Sequence, residues 1–395
     1  MTDDAIYLNA LGLVCALGAD VPAVRAGLFD ADVPLVAMSD RILPGKSVPV
    51  AAVTGDVADL SPLPSALHSR NNALLLSALA QIRGVVDSAV AKHGATRVAI
   101  VLGTSTSGIG EAEQAVADHQ RNGQVPAQFH IAQQELGSPA LALRAVVGSS
   151  GPAYVVSTAC SSSAKAIASA ARLLRAGIAD AVIAGGADSL CGFTVSGFAA
   201  LESISASGSN PLAAGRDGIH IGEGAALFLV SREPGPVRVA GHGESSDAHH
   251  ISAPRPDGSG ARAAMSQALK RAGLDADAID YINLHGTATE QNDAMESLAI
   301  AELFGNRVPL SSTKRLTGHT LGAAGAIEAA ICWIALTDNP DGALPPHWYS
   351  GELDARLPSL RIVASGQQLG RPLRYVLSNS FAFGGSNATL ILASS

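Results

Sequence analysis

Apolar residues along this 395-residue chain follow two alternating patterns. Short β-branched runs mark buried strands. Between them lie longer stretches where alanine, leucine and isoleucine recur every three or four residues, one face of a helix. Strands are expected over Ala5–Asn9, Val98–Leu102, Ala153–Ser157, Ala181–Ala184 and Gly222–Val230, and helices over Val21–Leu28, Ser69–Val90 and Gly110–Gln120. The glycine-punctuated residues 12–18 read as a loop, 30–64 as irregular surface with short strands, 121–136 as an excursion from the core and 211–220 as turns. The segment Val155–Leu174 combines both patterns: a β-branched start runs through small residues into Ala164, Ile167, Ala168, Ala171 and Leu174, a single helix face.

A charged, proline-containing break at Ser231–Pro236 divides the chain into halves over residues 1–233 and 234–395. Beyond it the order repeats, with strands over Val237–Gly241 and Tyr281–Leu284, helices over Ala261–Ala272 and Gly322–Leu336, and late strands over Val376–Asn379 and Thr389–Leu392. In both halves a buried strand ends in glycine and alternating hydroxyls, Gly103-Thr104-Ser105-Thr106 in one and Gly286-Thr287-Ala288-Thr289 in the other. Two similar halves of alternating strands and helices imply an α/β protein built as a layered α/β/α/β/α duplication, more than two separate domains.

Composition narrows the class. With 47% hydrophobic and 15% charged residues, 41 glycines and few aromatics, the chain fits a compact α/β protein and not a disordered or fibrous one. A formal net charge of −8 argues against general nucleic-acid binding, which needs a basic surface. The start, MTDDAIYLNA, is acidic where a secretory leader would be basic, and apolar runs break before spanning length, so neither leader nor membrane span is expected. Cys15, Cys160, Cys191 and Cys332 have neither metal-ligand nor disulfide spacing. Free thiols in a reducing cytoplasm, and no metal site, are the expectation.

Cys160 stands just before the helical part of its segment. Ser161, Ser162 and Ser163 offer hydroxyls to the first helical amides, and the positive end of the helix dipole favours thiolate over thiol. A lone cysteine of this kind is more often inert core than nucleophile, and the second half changes that balance. His285 ends a buried strand on a glycine turn, where open α/β sheets place their ligands. Lys314 and His319 lie beside a glycine-rich helix start, with Glu328 further along it. Ser378–Asn387 is a glycine turn between two strands with exposed backbone amides. One thiol, two imidazoles, one lysine and amide-rich turns make a thiol acyl-transfer site.

Seven ordered motifs spread over nearly the whole chain resemble those of the elongating β-ketoacyl-acyl carrier protein synthases of the thiolase superfamily. They are Leu11-Gly12-Leu13-Val14, Thr158-Ala159-Cys160-Ser161, Ala184-Gly185-Gly186-Ala187-Asp188, the run from Arg216 to Ala226, His285-Gly286-Thr287-Ala288-Thr289, the run from Thr313 to Glu328, and Asn379 to Asn387. The resemblance implies a thiolase-like five-layer fold. It implies that Cys160 takes an acyl chain as a thioester, and that His285 and His319 stabilise the enolate left when a malonyl unit loses carbon dioxide. The backbone amides of Cys160 and Phe383 are implied as the oxyanion hole, Lys314 as an electrostatic organiser and Glu328 as its carboxylate neighbour. Gate loops are implied at Ala382, Phe383 and Gly384 and at Asp247 and His250, and the floor of the acyl pocket at Thr104, Ser105, Thr106 and Ser107. It implies no separate cofactor, since phosphopantetheine arrives on the carrier. The implied partners are acyl carrier protein, with acyl and malonyl thioesters as substrates, and a second subunit. That subunit is a copy of the chain or a chain-length-factor-like protein.

The chain departs from the family pattern in places. Pro211-Leu212-Ala213 lacks an aromatic and a carboxylate before Arg216, Ala382 replaces a gate glycine, and His249 replaces an aromatic in the second gate loop. The small hydroxylic floor suggests a roomy or polar acyl tunnel. A thiolase that exchanges thioesters, and a non-catalytic supporting subunit, are the competing readings. His319 with Lys314 opposes the first, and Cys160 opposes the second.

Overall fold

The computed structural model describes residues 5–30, 36–43 and 45–395. Part of the irregular segment expected over 30–64, namely residues 31–35 and 44, lies outside the described residues. The rest of that segment supplies strands Ala37–Leu43 and Lys46–Ala51, which form a three-stranded sheet with Ile221–Gly222.

Among the described residues the remaining strands make one eleven-stranded sheet. Its first half runs Ala153–Val156, Val98–Gly103, Ala181–Asp188, Gly224–Ser231, Tyr7–Cys15. Its second half continues Val237–Ser246, Ser386–Ser394, Tyr375–Ala382, Tyr281–Asn283, Pro309–Ser311, with the short Arg361–Ile362 at the far edge. Each half has the same topology. Counted in chain order and leaving out Arg361–Ile362, the second strand of each half pairs in parallel with the third and fourth, and the fifth pairs antiparallel with the fourth and the first. The first strands of the halves join antiparallel, Tyr7 opposite Arg238 and Leu8 opposite Val237. The duplication is thus written in strand order more clearly than in residue identity.

Strand alternation then builds the layers. Ile100, Leu102, Ile183 and Leu227 face the outer helices Arg70–His93 and Ser138–Val147, while Val101, Val182, Ala226 and Phe228 face inward. On the other half Ile282, Leu377 and Ile391 face helices Ser259–Ala272 and Glu290–Phe304, while Tyr281, Val376 and Leu390 face inward. Between the two inward faces lie helices Ser162–Arg175 and Ala324–Leu336, so the order of layers is α/β/α/β/α. Helix Arg70–His93 is long and apolar enough to cross a membrane, but Leu74, Leu75, Leu79, Ile82 and Val86 are buried against the sheet.

Two expectations change. Residues 12–15 are strand and not loop, because Gly12 is there for close approach: a Cβ on it would lie 1.9 Å from the Ala78 carbonyl oxygen of the packed helix. The helix Glu290–Phe304 gave no clear periodicity, because its inner face buries Asn292, Asp293, Glu296 and Ser297 among the apolar residues.

Candidate active site

The structure gathers Cys160, His285, Lys314 and His319 from both halves around one cavity. Cys160 sits between strand Ala153–Val156 and helix Ser162–Arg175, on an elbow where Ala159 has φ +50°. Its Sγ is 2.9 Å from Nε2 of His319. The rings of His285 and His319 meet edge to face, 5.5 Å apart. Lys314 Nζ lies 3.4 Å from Nδ1 of His285 and pairs with the carboxylate of Glu328. A lysine ammonium only donates, so Nδ1 accepts and the proton of neutral His285 sits on Nε2. The backbone amides of Phe383 and of Cys160 itself favour the charged form of Sγ. The serines after Cys160 do not cap their own helix as expected. Ser163 Oγ instead accepts from Ala326 N, at the start of the facing helix, and Ser161 Oγ bonds Thr158 O and Ser386.

Burial decides the protonation states. The Cys160 thiol is pushed up to about 12 by burial, against the opposing pull of Lys314 and the Phe383 amide. Burial thus outweighs the local helix dipole at this thiol. The rate of Cys160 alkylation by iodoacetamide should keep rising with pH beyond 9, without the plateau near neutrality that an activated thiolate gives. Stopped-assay mass spectrometry across pH measures this. Both imidazoles are held well below their ordinary value, by burial first and the Lys314 charge second, so both are neutral.

Two carboxylates missed in the sequence organise the site. Glu296 is buried, and its oxygens accept from the backbone amides of His285 at 2.9 Å and Gly286 at 2.8 Å and from Asn379. Asp188 accepts from Thr104 Oγ1, Thr106 Oγ1, Ser105 N and Thr106 N at 2.7–2.8 Å, and its second oxygen takes Ala323 N, four residues beyond His319. The signal for Glu296 was its place eleven residues after His285, three beyond Asp293, on one helix turn. Burial raises the Glu296 carboxyl to about 7, with the two amides pulling the other way. A raised carboxyl pKa means the folded state holds more protons than the unfolded one between about 4.5 and about 7. Stability from this group is full below that window and falls as pH rises through it. Glu296→Gln should flatten this slope in denaturant titrations at pH 5 and 7.5 while lowering stability at both, since one amide loses its acceptor.

The hydroxylic loop expected as the pocket floor does not line the cavity beside Cys160. Thr104, Thr106 and Ser107 are fully buried, the threonines spending their hydroxyls on Asp188 and Ser107 its own on the carbonyls of Gln133 and Glu135. Ser105 is held through its backbone amide by the same carboxylate. These residue types answer a buried charge and not a polar ligand. The cavity beside Cys160, about 510 Å³, is walled instead by Phe198, Leu201, Ile219, Phe381 and Phe383, with Thr287, Thr289 and Asn292 on the His285 side.

Of the residues expected to form gates, Ala382 and Phe383 line the cavity. The rings of Phe383 and Phe198 lie 5.5 Å apart. Ala382 has φ −108°, extended backbone open to any residue, and the turn rests on Gly384 and Gly385 at φ +79° and +73°. Asp247 N donates to Gly385 O, and its carboxylate accepts from Asn387 and Arg255 N, so the two gate loops are tied together. His250 and His249 are exposed. Arg216, which follows a segment without the family's carboxylate, pairs with Asp354 at 2.6 Å and approaches Asp293 at 3.8 Å. Of the basic residues near the site, Arg70 is engaged by Glu223, Arg172 by Glu244 and Lys165 by Ser386.

The family model for the β-ketoacyl synthase N-terminal domain matches residues 76–234, and that for the C-terminal domain matches residues 237–348. A 3-oxoacyl-[acyl-carrier-protein] synthase 2 of Rhizobium meliloti is 42% identical over 263 residues, an alignment spanning 61% of each chain. Nodulation protein E of the same organism is 30% identical over 98% of both chains. Among solved structures, the ketosynthase ApeO in complex with its chain length factor ApeC, from Xenorhabdus doucetiae, superposes with a TM-score of 0.94. It is 44% identical, and the match covers 99% of this chain and 98% of that one. The ishigamide ketosynthase/chain length factor superposes with a TM-score of 0.89 at 25% identity over the full length of both. With the Cys-His-His-Lys cluster at the centre of this fold, the chain belongs to the β-ketoacyl synthase family, the condensing enzymes of the thiolase superfamily.

Proposed function

We propose that this chain extends carrier-bound acyl chains by decarboxylative Claisen condensation, giving a 3-oxoacyl-carrier product in fatty acid or polyene/polyketide synthesis. The observation that carries the reading is the convergence of one thiol, two neutral imidazoles and two backbone amides in a single cavity. Sγ attacks the carbonyl of the carrier thioester, its proton passes to His319 Nε2, and the departing carrier thiol takes that proton away. The amides of Cys160 and Phe383 hold the tetrahedral oxyanion. A malonyl thioester then enters. Its bond to the carboxylate breaks, carbon dioxide leaves, and the electron pair becomes an enolate whose oxygen receives the Nε2 proton donor of His285 and that of His319. The enolate carbon attacks the Cys160 thioester, and collapse of the adduct releases Sγ as a thiolate that takes up a proton from solvent to restore the thiol. His319 Nδ1 is buried without a partner among the described residues, so neither tautomer is locked and the ring can accept in the first half-reaction and donate in the second.

In this reading no separate cofactor is needed, the phosphopantetheine arriving on the carrier protein, and the reactions belong to the cytoplasm. A second subunit is part of it. Ala153–Val156 is an edge strand with Tyr154 37% exposed, an arrangement that invites pairing with another chain. A heterodimer with a chain-length-factor-like subunit is favoured by the ApeO–ApeC likeness, and a homodimer is the other outcome. Intact-mass analysis of the protein, alone and with such a subunit, offered a panel of acyl carriers and then malonyl carrier, tests the proposal. Acyl adducts on Cys160 that disappear only when malonyl carrier is added support it. Adducts discharged equally without malonyl carrier would show thioester exchange and overturn it.

A further inference from the structure

Cys160, His285 and His319 bring one sulfur and two ring nitrogens within 4.8 Å of one another, all buried and all facing a cavity that opens to solvent. A thiolate and two imidazoles are donors suited to Zn²⁺, which binds such groups at roughly 2.0–2.3 Å and accepts three protein ligands with a fourth position open. An ion held there would block the nucleophile and both proton donors. One neighbouring group opposes it. A metal-bound imidazole gives its lone pair to the ion and carries its proton on the other nitrogen, which then needs an acceptor. At His285 that other nitrogen, Nδ1, faces Lys314 Nζ at 3.4 Å, and an ammonium offers only donors. Nδ1 therefore keeps its lone pair and Nε2 its proton, leaving no lone pair toward the cavity. His319 Nδ1 has no partner among the described residues, so a metal-bound tautomer finds no acceptor there either.

We propose that Cys160, His285 and His319 form a latent Zn²⁺ site, and that Lys314 keeps it closed by holding the His285 proton on the cavity side. Zn²⁺ entry releases the Cys160 thiol proton to solvent and requires the His285 proton to move from Nε2 to Nδ1, against Lys314. This role of Lys314 rests on the four side chains alone and stands apart from the condensation reading. The test uses the full chain with Lys314→Met, and with Lys314→Met combined with Glu328→Gln so that no buried carboxylate loses its partner. Each is titrated with Zn²⁺, and with Co²⁺, whose thiolate charge-transfer absorption reports ligation by Sγ. The variants should bind Zn²⁺ roughly 10–100-fold tighter than the wild type, the range by which groups behind metal ligands tune affinity. They should also show a Co²⁺–thiolate band that Cys160→Ser removes. Equal Zn²⁺ affinity and an equal band in the wild type would show that Lys314 closes nothing. A folded double variant without the band would show that there is no latent site.

Discussion

Cys160→Ala should abolish acyl loading and lower condensation at least roughly 10³-fold, the scale on which loss of a covalent nucleophile is felt. The substitution removes a single sulfur from a site whose other members are held independently. His285 is fixed by Lys314 and by Glu296 through its backbone, and His319 by main-chain bonds to His220 and Gly222. The fold should therefore survive, with thermal unfolding close to that of the parent. Intact-mass spectra after incubation with acyl carrier decide the matter, since the parent gains the mass of the acyl group and the variant gains none. An acylated Cys160→Ala protein would move the nucleophile elsewhere, and Cys15, Cys191 and Cys332 are all buried thiols without an imidazole partner among the described residues.

His285→Ala should separate the two half-reactions. Loading of Cys160 depends on His319, which touches Sγ, and should persist within a few-fold. Decarboxylation depends on donors at the enolate oxygen. Removing one should slow it by about 10²–10³-fold, or roughly 3–4 kcal/mol of transition-state stabilisation. Carbon dioxide release from malonyl carrier, measured beside acyl-enzyme formation, reads both steps. Equal losses in both would deny His285 a specific place in decarboxylation. The pH profile supplies a second check. Because burial and Lys314 hold both imidazoles well below 6.5, decarboxylation should show no loss of activity from imidazole protonation as pH falls from 7 to 6.

Much of this was legible along the chain because the chemistry lies at strand ends marked by glycine and small residues. Cys160, His285, Lys314, His319 and the Phe383 turn all stand on such punctuation, and the ordered motifs around them point to one family. The duplication was legible as a rhythm of strands and helices, although residue identity between the halves is faint. Helix Glu290–Phe304 was not legible, because a helix that turns Asp293 and Glu296 into the protein breaks the apolar period by which helices are read. The bonds of the Thr104 and Thr106 hydroxyls were not legible for a different reason: their partner, Asp188, is more than eighty residues away in sequence.

The sequence by itself determined the candidate nucleophile Cys160, its imidazole and lysine companions and much of the strand pattern, since each depends on residue type and local spacing. Only the tertiary structure decided their states. Packing two halves face to face buries Cys160 until it rests as a thiol, where the local helix dipole alone predicted a thiolate. It sets Lys314 against Nδ1 of His285 and so chooses which nitrogen carries the proton. It also walls the pocket with Phe198, Leu201, Ile219, Phe381 and Phe383 on one side and with Arg216, Thr287, Thr289 and Asn292 among its polar residues. Desolvation and the direction of a hydrogen bond are properties of contacts between distant segments, and no local pattern encodes them.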